Sequence, residues 1–362
     1  MKKLYIMVAA CFVITFSQAQ DITDAVRYSA EELTGTARFR AMSGAFGALG
    51  GDLSALGINP AGSAVFLNSS ATVTLNYNER KNNTTYFSGI TSNENSEINF
   101  DQAGAVLVFS SNNPENNWGK FTLGVNYLQT NNFDDRFVAQ GISPNSIDQY
   151  FLGYADGVPL ELLETIDNES ITDLYLFLGE NEGFGTQQAF LGFQGFVINP
   201  DSNTPENTSY NSAIAPGTFN QTYSLASTGL NGKFSFNFAS AFKDFLYLGI
   251  NLNAHFLNYD RATQLLETNS NSGIKTKVIF SNNLSTTGDG VSFQLGTIAK
   301  LSDNIRMGVS YESPTWFTIA EQSTQRLETF SDEFNEQVIV NPNVVNVYPD
   351  YRLKTPGKSP EV

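Results

Sequence analysis

The chain has 362 residues and an excess of Asp and Glu over Lys and Arg that gives a formal net charge of −16. That balance argues against nucleic acid as a partner, because neutralising phosphate takes a basic patch. The single cysteine, Cys11, sits in the N-terminal leader, so the rest of the chain holds no disulfide, thiol nucleophile or thiolate metal site.

The opening stretch, MKKLYIMVAACFVITFSQAQ, has two lysines, an apolar run and small residues at a cleavage point. It is too short to span a bilayer and predicts a signal peptide over residues 1–19, cut after Ala19. A lipoprotein site at Cys11 is the rival reading, but Phe12, Val13 and Ile14 carry the apolar run past it. Loss of Lys2 and Lys3 makes the exported chain two units more negative.

Next comes GAFGALGGDLSALGINPAGSAVF, residues 44–66. Its glycines suggest a phosphate loop, yet no Gly-Lys-Ser/Thr follows and the GxGxxG spacing is absent. The stretch reads instead as a compact plug closed by a turn at Asn59-Pro60-Ala61-Gly62, with the first strand starting near Ala71.

From there alternation dominates. ATVTLNYN, KFTLGVNY, KFSFNF, FLYLGINLNAHF, VSFQLGTIAKL and NIRMGVSYE each put apolar residues on one face and polar residues on the other. The polar faces carry Asn, Ser, Thr, Gln and Gly rather than Lys and Glu. Tyr247, Asn251, Asn253 and His255 share one of them, and alternation makes them candidate lumen residues. Such strands fit a transmembrane antiparallel β-barrel with lipid outside; a secreted all-β protein is the alternative. No linker divides the chain, and about ten or eleven strands are expected between residues 68 and 362.

TGLNGK (228–233), AFKDF (241–245) and LSDNIR (301–306) predict tight hairpin turns on one side. ETNSNSGIKT (267–276) predicts a longer loop on the other. A long insertion spans residues 132–218, and between Arg136 and Lys233 it carries eleven Asp and Glu with no Lys or Arg. Within it, residues 147–166 predict two short amphipathic helices broken at Gly157-Val158-Pro159. Tyr150, Phe151, Tyr154, Leu160, Leu162 and Leu163 would form an apolar face, either a rim cap or a lid where an apolar solute lands. QQAFLGFQGFVI (187–198) is read as a strand returning through the membrane.

ARFRAMSGAFGALGGDLSALGINPAG (37–62), LGTIAKLSDNIRMGVSYESPTWFTI (295–319) and YRLKTPGK (351–358) together resemble the FadL-type outer-membrane transporters of long-chain fatty acids and aromatic hydrocarbons. The resemblance implies a fourteen-stranded barrel with residues 20–67 folded into the lumen as a hatch, and Asp52, Asn59, Pro60, Ala61 and Gly62 as gating positions inside it. It implies passive uptake of a hydrophobic small molecule across the outer membrane of a Gram-negative bacterium, by a monomer surrounded by outer-membrane lipids and lipopolysaccharide and inserted by the barrel-assembly machinery. No cofactor, metal or catalytic residue is expected. The chain stops without a terminal aromatic strand, so a truncated product is expected too.

Other functions fit less well. A lipase would need a serine within reach of the lone histidine, His255, and no GxSxG occurs. A haem receptor lacks iron ligands, and no segment matches a calcium loop. A structural or adhesive surface barrel has no use for a folded hatch, which is what separates it from a transporter.

Overall fold

The computed structural model describes residues 22–113, 115–166, 168–271 and 275–357; the expected signal peptide lies outside them. The chain opens with helices α1 (Ile22–Ser29) and α2 (Ala37–Ala41), followed by single 3-10 turns at Leu53–Gly57 and Pro60–Val65. Strands β1 (Ser70–Tyr86), β2 (Gly89–Ser110), β3 (Lys120–Asn132) and β4 (Asp135–Ser143) come next. The insertion contributes α3 (Asp148–Ala155), α4 (Ile171–Asn181), α5 (Phe184–Gln194), β5 (Ile198–Pro200) and β6 (Tyr210–Ser212). The chain then runs through β7 (Phe219–Phe242), β8 (Leu246–Thr268), β9 (Lys277–Ser302), β10 (Ile305–Glu312), β11 (Trp316–Ser331), β12 (Glu336–Val340), β13 (Asn346–Val347) and β14 (Tyr351–Lys354).

Apart from the small β5–β6 ribbon, these strands form one antiparallel sheet. Its order is β1-β2-β3-β7-β8-β9-β11-β12. β4 continues β3 along β7, β10 pairs with β9 beside β11, and β13 and β14 continue β12 along β11. The sheet's twelve strands therefore occupy eight positions, several of them filled by two or three segments end to end. Among the described residues no pairing joins β1 to β12, β13 or β14, so the sheet is open rather than a closed barrel.

The sheet is inside out with respect to a water-soluble one. Val73, Leu75, Ile98, Phe236, Leu252 and Val291 are all more than half exposed, while Thr122, Asn126, Ser235, Asn237, Asn251 and Gln294 on the opposite face are buried. Alternation explains the segregation, since successive side chains leave a strand on opposite faces. The polar face is buried because residues 28–66 pack against it.

Two expected turns are present: residues 243–245 link β7 to β8, and residues 303–304 link β9 to β10. The loop after β8 lies at the other end, as expected. The third expected turn is a correction: TGLNGK lies inside β7. Gly229, at φ +120°, permits a local distortion there without a reversal. It faces the point where β3 gives way to β4, with Phe133 donating its N–H to the Gly229 carbonyl and Gly229 donating to Asp134. Its glycine and asparagine content mimics a turn, but uninterrupted pairing with β8 holds the strand straight.

A second correction concerns residues 187–198. They form most of α5 and not a membrane strand. Gln187 to Gly192 are buried without a break, so burial on every side erases the periodicity that marks a surface helix. Residues 147–166 give one helix, α3, and after Gly157–Pro159 only a 3-10 turn at Leu160–Leu162. Helix α4 starts at a capping box between Ser170 and Asp173. These helices share an apolar core, including Phe151, Leu178, Phe190 and Leu191, that continues onto Val278, Phe280, Leu327 and Val340 of the sheet. The insertion is thus a small helical cap on one end of the sheet.

Candidate functional site

Carbonyl groups in 3-10 turns lack the full set of intrahelical partners, and in this molecule the sheet supplies them. Asp52 caps the first turn, accepting from the Ser54 N–H at 2.9 Å and from Thr36 Oγ1 at 2.9 Å. Asn59 caps the second, its Oδ1 accepting from the Ala61 N–H at 3.1 Å. Pro60 follows at the first helical position, where its missing N–H costs nothing. Asn59 Nδ2 donates to Gly47 O at 2.7 Å and across to Thr297 O on β9 at 3.0 Å. From the sheet, Asn237 donates to Pro60 O (3.0 Å), Asn251 to Leu56 O (2.7 Å) and Gln294 to Ile58 O (2.8 Å).

The close seating depends on small residues. Gly249 and Gly296 face each other across β8 and β9. A Cβ on Gly249 would lie 2.4 Å from Ala61 N, and one on Gly296 would lie 2.0 Å from Asn59 Oδ1. Gly62 meets Gly50 in the same way, and Ala61 packs with Ala64, Ala239, Tyr247 and Ile298. Of the four candidates on β8, Tyr247 belongs to this apolar contact and Asn251 to the hydrogen-bonded seat.

Asn253 and His255 sit farther along the same face and meet on Ser292 of β9. Asn253 donates to Ser292 Oγ at 3.1 Å, and His255 Nε2 lies 2.9 Å from the same oxygen. The sequence offered no serine beside His255, because this one comes from a neighbouring strand. Both residues are buried, and their backbones are engaged in the ladder, whose N–H groups are therefore not free to receive an oxyanion. The pair serves as a hydrogen-bonded anchor, next to a buried ion pair between Lys233 and Glu312 at 3.5 Å.

Beyond this level the inner face opens into a cavity of about 1870 Å3. Helix α1 reaches its floor with Asp24. Tyr28 of the same helix is buried, lies 2.9 Å from Thr286 Oγ1 and donates to Glu321 at 3.2 Å. Burial pushes the Tyr28 phenol well up, so it stays a neutral donor. The sheet provides walls through Tyr223, Arg261, Phe280, Glu321 and Gln325, and the cap closes over them with Tyr150, Tyr154 and Phe184.

The six residues expected to share one apolar face therefore divide. Phe151, Leu160 and Leu163 are wholly buried, and Leu162 packs against the core of the cap. Tyr150 and Tyr154 alone line the cavity. Tyr150 donates to Gln188 at 3.1 Å, and burial raises its phenol well above the ordinary value. Arg261, Phe280 and Glu321 were missed because each comes from a separate strand, and only the pairing register brings them to one wall of the cavity. Comparison of the chain with protein-family models, with curated proteins and with solved structures finds no match.

Proposed function

We propose that this chain forms the wall and hatch of an outer-membrane β-barrel of the FadL type, through which hydrophobic small molecules diffuse passively. The observation that carries the reading is the inverted sheet, whose exposed face is apolar in a band across β1, β2, β3, β7, β8, β9 and β10, from Val73, Ile98 and Leu123 through Phe236 and Leu252 to Leu295 and Val309. An exposed apolar surface this extensive is disfavoured in water and suited to lipid. Strands of 22 to 26 residues, such as β2 and β9, exceed the roughly 9–11 residues needed to cross a bilayer. Short links at 243–245 and 303–304 and a large cap at the opposite end match a barrel with periplasmic turns and extracellular loops. In lipid both sheet edges must be paired, so the reading requires that β1 and the β12 to β14 edge pair with each other or with other strands.

In this reading residues 20–67 form the hatch that shuts the lumen, and solute arriving through the cap rests in the cavity above α1. Two tests separate membrane insertion from transport. Leu252→Arg places a charge on the outer face and should cost about 2–4 kcal/mol of stability in a bilayer if the site is near the midplane, measured by denaturant unfolding from liposomes. A water-soluble protein would tolerate that change, and such tolerance would sink the membrane reading. Removal of residues 22–66 should raise the ion conductance of reconstituted protein and alter uptake of a fluorescent long-chain solute. Unchanged conductance would favour a structural or adhesive barrel.

A further inference from the structure

The charge of the cavity is not used by a reading that requires only a greasy path. Asp24, Glu182 and Glu321 line it, with Arg261 as the only basic residue among the described lining. Arg27 forms an ion pair with Asp24, which leaves Glu182 and Glu321 against Arg261 in the lining. Glu267, buried behind the cavity wall, adds another carboxyl held by Ser146 and Gln221. The cap overhead has the same sign throughout, with its eleven acids and no base. Beside uncharged polar residues such as Asn145, Asn282 and Gln325, the lining holds a contiguous set of rings: Tyr150 lies 5.0 Å from Tyr154 and 5.8 Å from Phe280, and Tyr154 lies 5.9 Å from Phe184. Ring faces carry negative potential and favour cations or hydrogen-bond donors.

We infer that the cavity selects amphiphiles whose head group donates hydrogen bonds and bears no negative charge, and that it discriminates against carboxylates. This rests on the uptake reading and narrows its solute class. Like charges in a site of lowered dielectric repel by far more than in water, and a mouth of the same sign slows approach of an anion as well.

The test uses the full chain in lipid nanodiscs and titrates decanol, decylamine and decanoate at a pH where the last is ionised. Empty nanodiscs supply the partitioning background. Decanol and decylamine should bind at least tenfold more tightly than decanoate. Glu182→Gln, an exposed change, should raise decanoate affinity about two- to threefold and leave decanol unchanged. Decanoate binding as tightly as decanol, or more tightly, overturns the selectivity while leaving uptake intact. Failure of all three to bind overturns the uptake reading, and this inference with it.

Discussion

The N-terminal segment and the helical cap occupy the two ends of one sheet face and are held by a different balance of polar and apolar contacts. Residues 52–63 are fastened to the sheet by hydrogen bonds from Asn237, Asn251 and Gln294, by the Ser63–Thr122 hydroxyl contact, and by small apolar contacts of Leu53 and Leu56 with Val106 and of Ala61 with Ala239 and Ile298. The cap is fastened by an apolar core in which Phe151, Leu178, Phe190 and Leu191 lose all contact with water. A polar contact exchanged for water is worth about 0.5–1.5 kcal/mol net. A buried phenylalanine removed to alanine costs about 3–5 kcal/mol. The first fastening should therefore open at lower cost than the second, which is what the proposed hatch beneath the cap would need.

That contrast can be broken from either end. The largest effect is expected for Phe151→Ala, which should destabilise the cap by about 3–5 kcal/mol. Loss of helical signal should precede loss of strand signal in thermal circular dichroism, while the N-terminal segment keeps its resistance to protease. Gly296→Val should act in reverse. Its added carbons collide with Asn59 and Pro60, and overpacking of this kind costs about 1–3 kcal/mol. Cleavage within residues 22–66 should accelerate with the cap intact. Asn59→Ala removes the donor to Gly47 and Thr297 and should cost about 1–2 kcal/mol, raising conductance less than removal of the segment does. Ser63→Ala removes the hydroxyl that meets Thr122 and the Pro60 carbonyl, at about 1 kcal/mol, and should be detectable only by hydrogen exchange. Equal responses of both regions to all four changes would mean that they unfold as one unit, and the contrast would fall.

Much of the sheet was legible because period-two alternation is a local property. Tyr247, Asn251, Asn253 and His255 fall on one buried face for the same reason that Leu248, Ile250 and Leu252 fall on the exposed one. The turn at Asn59–Gly62 was legible from its Asn-Pro start. What the sequence concealed depends on partners far along the chain. Residues 228–233 read as a turn in isolation and are held straight only by pairing with β8. Residues 187–198 look like a poor strand because a helix buried on all sides has no polar stripe. Gly249 and Gly296 are ordinary strand glycines until the register sets them opposite each other under Asn59 and Pro60. The cavity wall is hidden for the same reason, since Arg261, Phe280 and Glu321 line one cavity only when β8, β9 and β11 are aligned.

The glycine pair has a consequence for the order of assembly. The seat under Asn59 is built from β8, β9 and β10, and its bond to Thr297 spans 238 positions of sequence. Contacts of such separation form late, after the loop-closure cost has been met by strand pairing. The segment that leaves the ribosome among the first is therefore among the last to find its place, and until the later strands have paired it has nowhere to bind.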